Sequence, residues 1–376
     1  MITYIKDEDE DLVIPCGLGP VICDQSADDW IVAARKGEIT DLSMYRLQAP
    51  SRDSLYCGLL WRASDIIKMP TFENGTVLRH DDSCRVLFRD CSSLLYADLS
   101  TVLRIEGGKN ICYSMFGDCT SMIYADMSNI ESFNGQSACQ RMFSGCTSLK
   151  MVNLGKLQSI GNSYSEGYNI CEGMFDNCAF ETLDLRSLKS ITGDRACDIM
   201  YAFCRSLKTV NLSGLESVSG YLACVNMFTD CTSLEFVDLG SLTYIGDDSN
   251  HRIEFQFTFR NCPALKSVRI HPYGLKFNDT PANNNNPLHS AVNIENIELT
   301  AQVTDDFYMT KQANLTADSV FEILSNLDLS VNNKSVNFYS GGLTVTDFVD
   351  GRLQTAYDNA TAAGWIINNL TIVPNS

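Results

Sequence analysis

Cysteine is the residue whose number and spacing could do chemistry in this chain. The sequence contains 16 cysteines. Six pairs are each separated by seven residues, namely Cys84/Cys91, Cys112/Cys119, Cys139/Cys146, Cys171/Cys178, Cys197/Cys204 and Cys224/Cys231. Such pairs could bind a metal, form disulfides, act in redox catalysis or fill a hydrophobic core.

The spacing argues against a bridge inside a pair and against a metal. Seven residues span about 10.5 Å in a helix and more in a strand, whereas disulfide-linked Cα atoms lie within about 7 Å of each other. A seventh copy ends at Cys262 but has Phe255 at the first position, where neither a ligand nor a disulfide tolerates it. No CxxC occurs and the four histidines are scattered, so zinc spacings are absent. The sequence therefore predicts no metal and no cofactor.

The alternative is that the cysteines belong to a core. In CYSMFGDC (112–119) and its relatives, Cys, Met, Phe and Cys fall at positions 0, 3, 4 and 7, which is the apolar stripe of a short amphipathic helix. We expect buried free thiols that pack as small hydrophobic groups. So many reduced thiols favour folding in a reducing compartment.

Composition narrows the function classes. The formal net charge is −18, which disfavours nucleic acid because phosphate binding needs a basic surface. The acidic start MITYIKDEDEDLVIPC lacks the apolar segment of a secretion signal, and no run is long enough for a membrane-spanning helix. We expect the chain to fold in the cytoplasm where it is made.

Catalytic motifs are not recognisable. The sequence has no phosphate loop, no GxGxxG and no legible Ser/His/Asp or Cys/His arrangement. We therefore predict that the protein is not an enzyme, with no catalytic residue assigned. Catalytic residues that converge from distant copies remain an alternative.

The cysteine pairs belong to a longer repeat. A TSLxxVDL-like segment follows each second cysteine, as in TSLKMVNL (147–154) and TSLEFVDL (232–239), and successive second cysteines are 26 to 32 residues apart. This period is typical of solenoids. We predict an α/β repeat fold in which each copy is a short helix, a turn and a short strand. The strands would stack into one parallel sheet.

The motif MFxxCTSLxxVDLxxLxxIG resembles the BspA-type leucine-rich repeat, which usually reads IgxxAFxxCtsLtsvxIP. The resemblance covers about residues 80–272 in seven copies. It departs from that pattern in its first cysteine, in its longer variable loops and in DL where the family often has IP. The resemblance implies a curved, non-catalytic binding solenoid, of a kind widespread in surface and adhesion proteins of anaerobic bacteria and in proteins of their phages.

The flanks differ from the repeats, so we predict three regions. Residues 1–80 would form an N-terminal capping or attachment region, 81–277 the leucine-rich-repeat solenoid and 278–376 a C-terminal α/β capping region. The acidic run Asp7–Asp11 resembles the start of a calcium loop, but Leu12 stands where that loop needs Gly. The flanking pattern predicts helices over 26–38, 315–327 and 351–364 and strands over 292–300, 335–340 and 365–373.

Strand alternation predicts which side chains face outward. Positions 5 and 7 after the second cysteine would point away from the core. The candidate binding residues on this face are Tyr96, Asp98, Tyr124, Asp126, Met151, Asn153, Asp184, Asn211, Phe236 and Asp238. They could hold a cation, a basic partner or a sugar. The bland alternative is that the Asp and Asn side chains solvate the strand and support its turn. The variable loops 162–169 and 247–252 are a second candidate.

Three functions remain open at this stage. The first is a bacteriophage virion structural or receptor-binding protein of tail or fibre type, located on the virion after assembly in the host cytoplasm. The second is a bacterial cell-surface adhesin that binds host protein or glycan. The third is an intracellular scaffold or an unrecognised enzyme. The expected partners are a protein or glycan surface or other virion proteins, without nucleic acid or a membrane span, and homo-oligomers stay open.

Overall fold

The structure is a computed structural model that describes residues 25–161, 168–246, 255, 257–276, 286–347 and 351–374. The chain divides into two compact units. The first unit comprises Met1–Phe180 and Arg195–Cys204, and the second comprises Glu181–Asp194 and Arg205–Ser376. Each is a stack of coils, where a coil is one turn of the chain around a shared apolar core.

Parallel strands in register build the first unit. One row pairs β1 with β2, a second pairs β4, β6 and β8, and a third pairs β3, β5, β7 and β9. Their bounds are β1 Arg46–Leu47, β2 Thr71–Phe72, β3 Thr76–Leu78, β4 Tyr96–Asp98, β5 Val102–Ile105, β6 Tyr124–Asp126, β7 Ser132–Phe133, β8 Met151–Asn153 and β9 Ser159–Ile160. Equivalent residues of successive copies are cross-strand neighbours, so the sequence repeat becomes a spatial column.

The second unit continues the same strand pattern within itself. Its parallel rows are β10-β12-β14-β16-β17, β11-β13-β15, β18-β19-β21 and β20-β22. The bounds are β10 Thr182–Asp184, β11 Ser190–Thr192, β12 Thr209–Asn211, β13 Ser217–Ser219, β14 Phe236–Leu239, β15 Tyr244–Ile245, β16 Ser267–Ile270, β17 Asn296–Leu299, β18 Phe307–Tyr308, β19 Ser335–Asn337, β20 Leu343–Thr346, β21 Ile366–Asn368 and β22 Leu370–Val373. The predicted solenoid of stacked parallel strands is confirmed.

The short helix predicted for each copy is wrong in the described copies. The segment from the first to the second cysteine is instead a run of turns with a left-handed residue at every fourth position, such as Asp82, Val86 and Asp90. The Leu87 N–H donates to the Cys84 carbonyl within the turn. The N–H groups of alternate residues donate to the next coil, as Val86 does to Tyr113 at 2.9 Å. We call this segment the turn ribbon.

The turn ribbon also occurs before residue 81. Positive φ angles recur at Ser54, Gly58 and Arg62, and the Gly58 N–H donates to the Arg85 carbonyl at 2.9 Å. Residues 54–63 therefore form a coil within the region for which the sequence shows no copy of the repeat. Tyr56 takes the place of the first cysteine, which explains why the motif is invisible there.

The core of the first unit is an aromatic stack flanked by thiols. Successive rings of Phe88, Phe116, Phe143, Phe175 and Tyr201 lie 5.1 to 5.4 Å apart and within 9° of parallel. All five side chains are fully buried. Offset-stacked rings favour this packing beyond the area that they bury, so the Phe of each copy joins one coil to the next. In the second unit Phe228 and Phe259 stack in the same way at 5.6 Å.

The second cysteine of a coil donates a hydrogen bond from its thiol to a backbone carbonyl of the preceding coil, and six described coils show this bond. The Cys119 Sγ lies 3.1 Å from the Phe88 carbonyl oxygen, and the Cys146 Sγ lies 3.1 Å from that of Phe116. The same bond recurs at Cys91, Cys178, Cys204 and Cys262. This position therefore needs a small, mostly apolar side chain that can still donate a hydrogen bond, and cysteine meets both needs.

The predicted flanking helices are present. They are α1 Gln25–Arg35, α2 Ala317–Ser325 and α3 Arg352–Ala362. Thr316 caps α2, because its Oγ1 accepts the Ser319 N–H at 3.2 Å. Gly364 follows α3 with φ 95°, a conformation that ends helices and favours glycine. The three-region division proposed from sequence stays a prediction.

Candidate functional site

The strand face predicted from alternation lies where expected. In the first unit Ala97 and Ala125 are buried, while Tyr96 and Met151 on the same strand row are exposed by 42% and 63%. Tyr96, Tyr124 and Met151 are cross-strand neighbours, and so are Asp98, Asp126 and Asn153. Neighbouring parallel strands lie about 4.8 Å apart, so these residues form two continuous columns on one surface.

The Asp and Asn residues of this polar column, which contains positions 98, 126, 153, 184, 211 and 238, have a structural role. Each Asp or Asn oxygen accepts the backbone N–H two residues later and so forms an Asx turn where the strand ends. The acceptor–donor pairs are Asp98–Ser100, Asp126–Ser128, Asn153–Gly155, Asp184–Arg186, Asn211–Ser213 and Asp238–Gly240, at 2.8 to 3.2 Å. Support of the turn is thus sufficient to explain why Asp and Asn recur at this position.

Basic side chains occupy part of the polar column in the second unit. The Arg186 guanidinium holds the pKa of Asp184 below its usual range by hydrogen bonding. Arg269 lies in the column itself, with Nη1 3.3 Å from Asp238 Oδ2 and Nε 2.8 Å from Glu298 Oε1. Because these carboxylates already have cationic partners, they are poor candidates for binding another cation. Phe236, half-buried beside them, has the small polar neighbours Thr209 and Ser267.

The first unit carries an exposed apolar patch on the same face. Besides Tyr96, Tyr124 and Met151, the residues that precede Lys68, β4 and β6 are apolar: Ile67 is exposed by 38%, Ile123 by 40%, and Leu95 is half-buried. The residue before β8 is the exposed Lys150. Backbone hydrogen bonds from Leu95 to Ile67 and from Ile123 to Leu95 place these residues on adjacent coils. We call these six residues the apolar patch. Contiguous exposed apolar surface of this kind marks interaction sites.

Sequence reasoning missed Ile67, Leu95 and Ile123 as members of this surface. A signal was present, because the residue before the strand changes character along the chain. That position is charged at Lys150 in the first unit and at Glu181, Lys208, Glu235, Lys266 and Glu295 in the second. There Lys266 Nζ bonds Glu295 Oε1 at 2.7 Å. The change from apolar to charged residues just before the strands distinguishes an apolar strand face from a solvated one.

Carboxylates border the apolar patch. Burial raises the pKa of Tyr124, and the nearby charges of Asp126 and Asp98 raise it further. Among the described residues no Lys or Arg forms an ion pair with Asp98 or Asp126. Lys68, which bridges to Tyr96 in the strand row, is held by Asp41 at 2.6 Å. The patch is therefore apolar with unpaired negative charge along one side.

The cysteines are chemically quiet. All thirteen cysteines from Cys84 to Cys262 are free and buried. Burial raises the pKa of Cys91, Cys204 and Cys262 to about 12, so these thiols stay protonated at neutral pH and lack the thiolate that catalysis needs. Cys57 differs, because it is joined in a disulfide. Within the described part of the chain, no group of three or more His, Cys, Asp or Glu side chains is placed to hold a metal ion.

The other sequence candidates lie largely outside the described residues. These are Asp7–Asp11, all of 247–252 and most of 162–169. In the part of the chain that the structure describes, no helix is long and apolar enough to cross a membrane.

Comparisons with known proteins do not assign the chain to a family. No family model and no curated protein matches the chain. A crystal structure of a TLR13–ssRNA13 complex aligns with 89% of this chain and 60% of its own, at 12% identity and a TM-score of 0.17. This chain thus spans about 60% of that one, and at such a TM-score the likeness carries no argument about fold or ligand. The stacked strands and recurring apolar positions are those of a leucine-rich-repeat-type solenoid, an architecture that typically serves as a binding scaffold.

Proposed function

We propose that the protein is a non-catalytic binding solenoid whose apolar patch docks a protein partner. The observation that carries this is the exposure of Ile67, Tyr96, Ile123 and Met151 on one strand face, in register and one coil apart. Aromatic residues and Met are enriched at protein interfaces, and stacked coils offer a preformed platform for them. The BspA-type resemblance of the repeat supports the same class of function.

The border of the patch suggests the chemistry of the partner. Asp98 and Asp126 hold their turns through one oxygen, Oδ1, and neither carboxylate forms an ion pair with a Lys or Arg of the described residues. A partner that covers Tyr96 and Met151 with apolar side chains can place Lys or Arg beside these carboxylates. The net charge of −18 would also attract such a basic partner. A protein fits better than a glycan, because Ile67 and Ile123 offer neither hydrogen bonds nor a ring for stacking.

Photo-crosslinking in the native assembly tests the docking surface. A photoreactive amino acid replaces Met151 in one variant and Tyr221, which is 46% exposed in the second unit, in a control. We expect a single protein adduct from position 151 that is lost when Tyr96→Ser is added, and no such adduct from position 221. Equal adducts from both positions, or none from position 151, would refute the docking surface.

The setting of this binding is a finer proposal. We propose that the chain is a bacteriophage virion structural or receptor-binding protein, assembled in the host cytoplasm and carried on the virion. Thirteen buried free thiols support folding in a reducing compartment, and the repeat resembles those of gut bacterial and phage proteins. Mass spectrometry of purified virions and of bacterial envelopes decides the matter. Detection in virions supports the proposal, whereas detection only in the envelope replaces it with a cell-surface adhesin.

A further inference from the structure

The coil formed by β21 and β22 presents a sheet edge that is paired on one side only. β21 pairs with β19 and β22 pairs with β20, and neither has a second partner strand among the described residues. We call residues 366–373 the terminal edge. The terminal edge is hydrogen-bonded to the preceding coil, because the Leu343 N–H donates to the Asn369 carbonyl and the Asp347 N–H donates to the Val373 carbonyl.

The register identifies the backbone groups of the terminal edge that have no partner within the described ranges. In a parallel pair, alternate residues direct both their N–H and C=O groups toward the same neighbour. Since Asn369 and Val373 bond toward β20, Thr371 between them does so too. The N–H and C=O groups of Leu370 and Ile372 then point outward from the sheet. Unpaired groups of this kind are a template for another strand.

The side chains of the terminal edge are also incompletely covered. Val336, Leu343 and Val345 in the preceding coil are 0%, 3% and 6% exposed. Their cross-strand neighbours Ile367, Leu370 and Ile372 are only half-buried. On the opposite face Ile366 is 54% exposed and Val373 is 42% exposed. The terminal edge thus combines free backbone groups with a row of accessible apolar side chains.

Charge makes this edge unusual within an acidic chain. After Asp358 the sequence contains no Asp, Glu, Lys or Arg, although the net charge is −18. Edge strands are commonly protected by charged side chains. The edge strand β1 follows that rule, because it contains Arg46 and comes after Lys36, Glu38 and Asp41. The terminal edge lacks this protection, and its approach to a like-charged molecule meets the least local repulsion.

We propose that the terminal edge is a self-association site at which β22 pairs with β22 of a second copy of this chain. Antiparallel pairing of a strand with its own copy has two-fold symmetry, so the contact closes at a dimer. It supplies partners to the free groups of Leu370 and Ile372 and covers the half-buried side chains. This surface is separate from the apolar patch, and the proposal does not depend on the proposed function.

Sedimentation equilibrium of the purified full chain from about 1 to about 200 µM tests the proposal, a range that brackets micromolar dissociation constants. Two variants attack the edge differently. Ile372→Pro removes an outward N–H without removing an inward bond, since proline is tolerated at strand edges. Thr371→Lys with Val373→Lys sets like charges against each other across the two-fold axis. Val292→Lys, at a residue 49% exposed elsewhere in the second unit, is the matched control.

We expect wild type and Val292→Lys to dimerise with the same dissociation constant. Both edge variants should stay monomeric, or dimerise at least about tenfold more weakly, with an unchanged far-UV circular dichroism spectrum. A wild-type chain that remains monomeric at every concentration would overturn the proposal. So would edge variants that dimerise as wild type does, or open-ended oligomers, which a two-fold contact does not produce.

Discussion

The two cysteines of one coil should respond in opposite ways to replacement by Ser and by Ala. Cys197 and Cys204 are both buried in the first unit. The Cys204 Sγ lies 3.3 Å from the Phe175 carbonyl oxygen. For Cys197, burial alone raises the thiol pKa, and no hydrogen bond of this thiol is present among the described residues. The coil therefore contains a bonded cysteine and its own matched control.

The magnitudes follow from what each substitution removes or buries. Ala at either position loses the sulfur and leaves a small cavity, at a cost of about 1–2 kcal/mol. Ser at position 197 buries a hydroxyl without an acceptor, which adds about 1–3 kcal/mol. Ser at position 204 can donate to the Phe175 carbonyl, so its desolvation is largely offset and the total stays near 1 kcal/mol. We expect Ala to be the milder change at 197 and Ser at 204.

Urea unfolding monitored by circular dichroism measures the four free energies, with comparison restricted to variants that share the wild-type slope. Repeat arrays can lose cooperativity, and a changed slope would show this. The reasoning is refuted if Ser is worse than Ala by the same margin at both positions. In that case the thiol–carbonyl bond of the second cysteine has no energetic role, and its recurrence reflects size alone.

Three further outcomes are expected. Phe143→Ala should lower the free energy of unfolding by about 3–5 kcal/mol, because its buried ring stacks on Phe116 and Phe175; urea titration measures this, and under about 1 kcal/mol would contradict the stack. The free energy of unfolding should fall as the pH rises from about 9 toward 12, by about 1.4 kcal/mol per pH unit for each thiol with a raised pKa, since the unfolded chain loses these protons first. Melting temperatures measured across this pH range test the expectation, and a melting temperature independent of pH would contradict it. Thiol titration without reductant should find at least the thirteen free cysteines after unfolding and almost none before. Many reactive thiols in the folded chain, or clearly fewer than thirteen after unfolding, would contradict this prediction.

Much of the fold was predictable because the sequence repeats. Once TSLxxVDL recurred at a regular period, the alternation of apolar residues such as Val237 and Leu239 fixed the inward face, and both are buried. The cap at Thr316 and the glycine at Gly364 were likewise legible as local signals. Parallel pairing in register then followed from stacking identical copies.

The turn ribbon was not predicted, and the reason is physical. Apolar residues at 0, 3, 4 and 7 face the core equally well on a helix and on successive four-residue turns, so hydrophobic periodicity does not separate the two. A signal was nevertheless present beside the second cysteine. The residue before it is Asp, Asn or Gly in six of the seven copies, at Asp90, Asp118, Gly145, Asn177, Asp230 and Asn261. These residue types tolerate positive φ and disfavour a helix interior, and all six have positive φ.

The candidate site was predictable in position but not in composition. The alternation of apolar and polar residues placed Tyr96 and Asp98 on the open face. It could not reveal that one carboxylate oxygen of Asp98 accepts the Ser100 N–H. Nor could it show that Ile67 and Ile123, which lie outside the alternating segment, join the same surface. Repetition explains this asymmetry, because every coil must close its turn and bury its core but only some coils must bind. The residues that differ between equivalent positions, such as Ile123 against Glu181 and Lys208, therefore carry the information about function that the repeated residues lack.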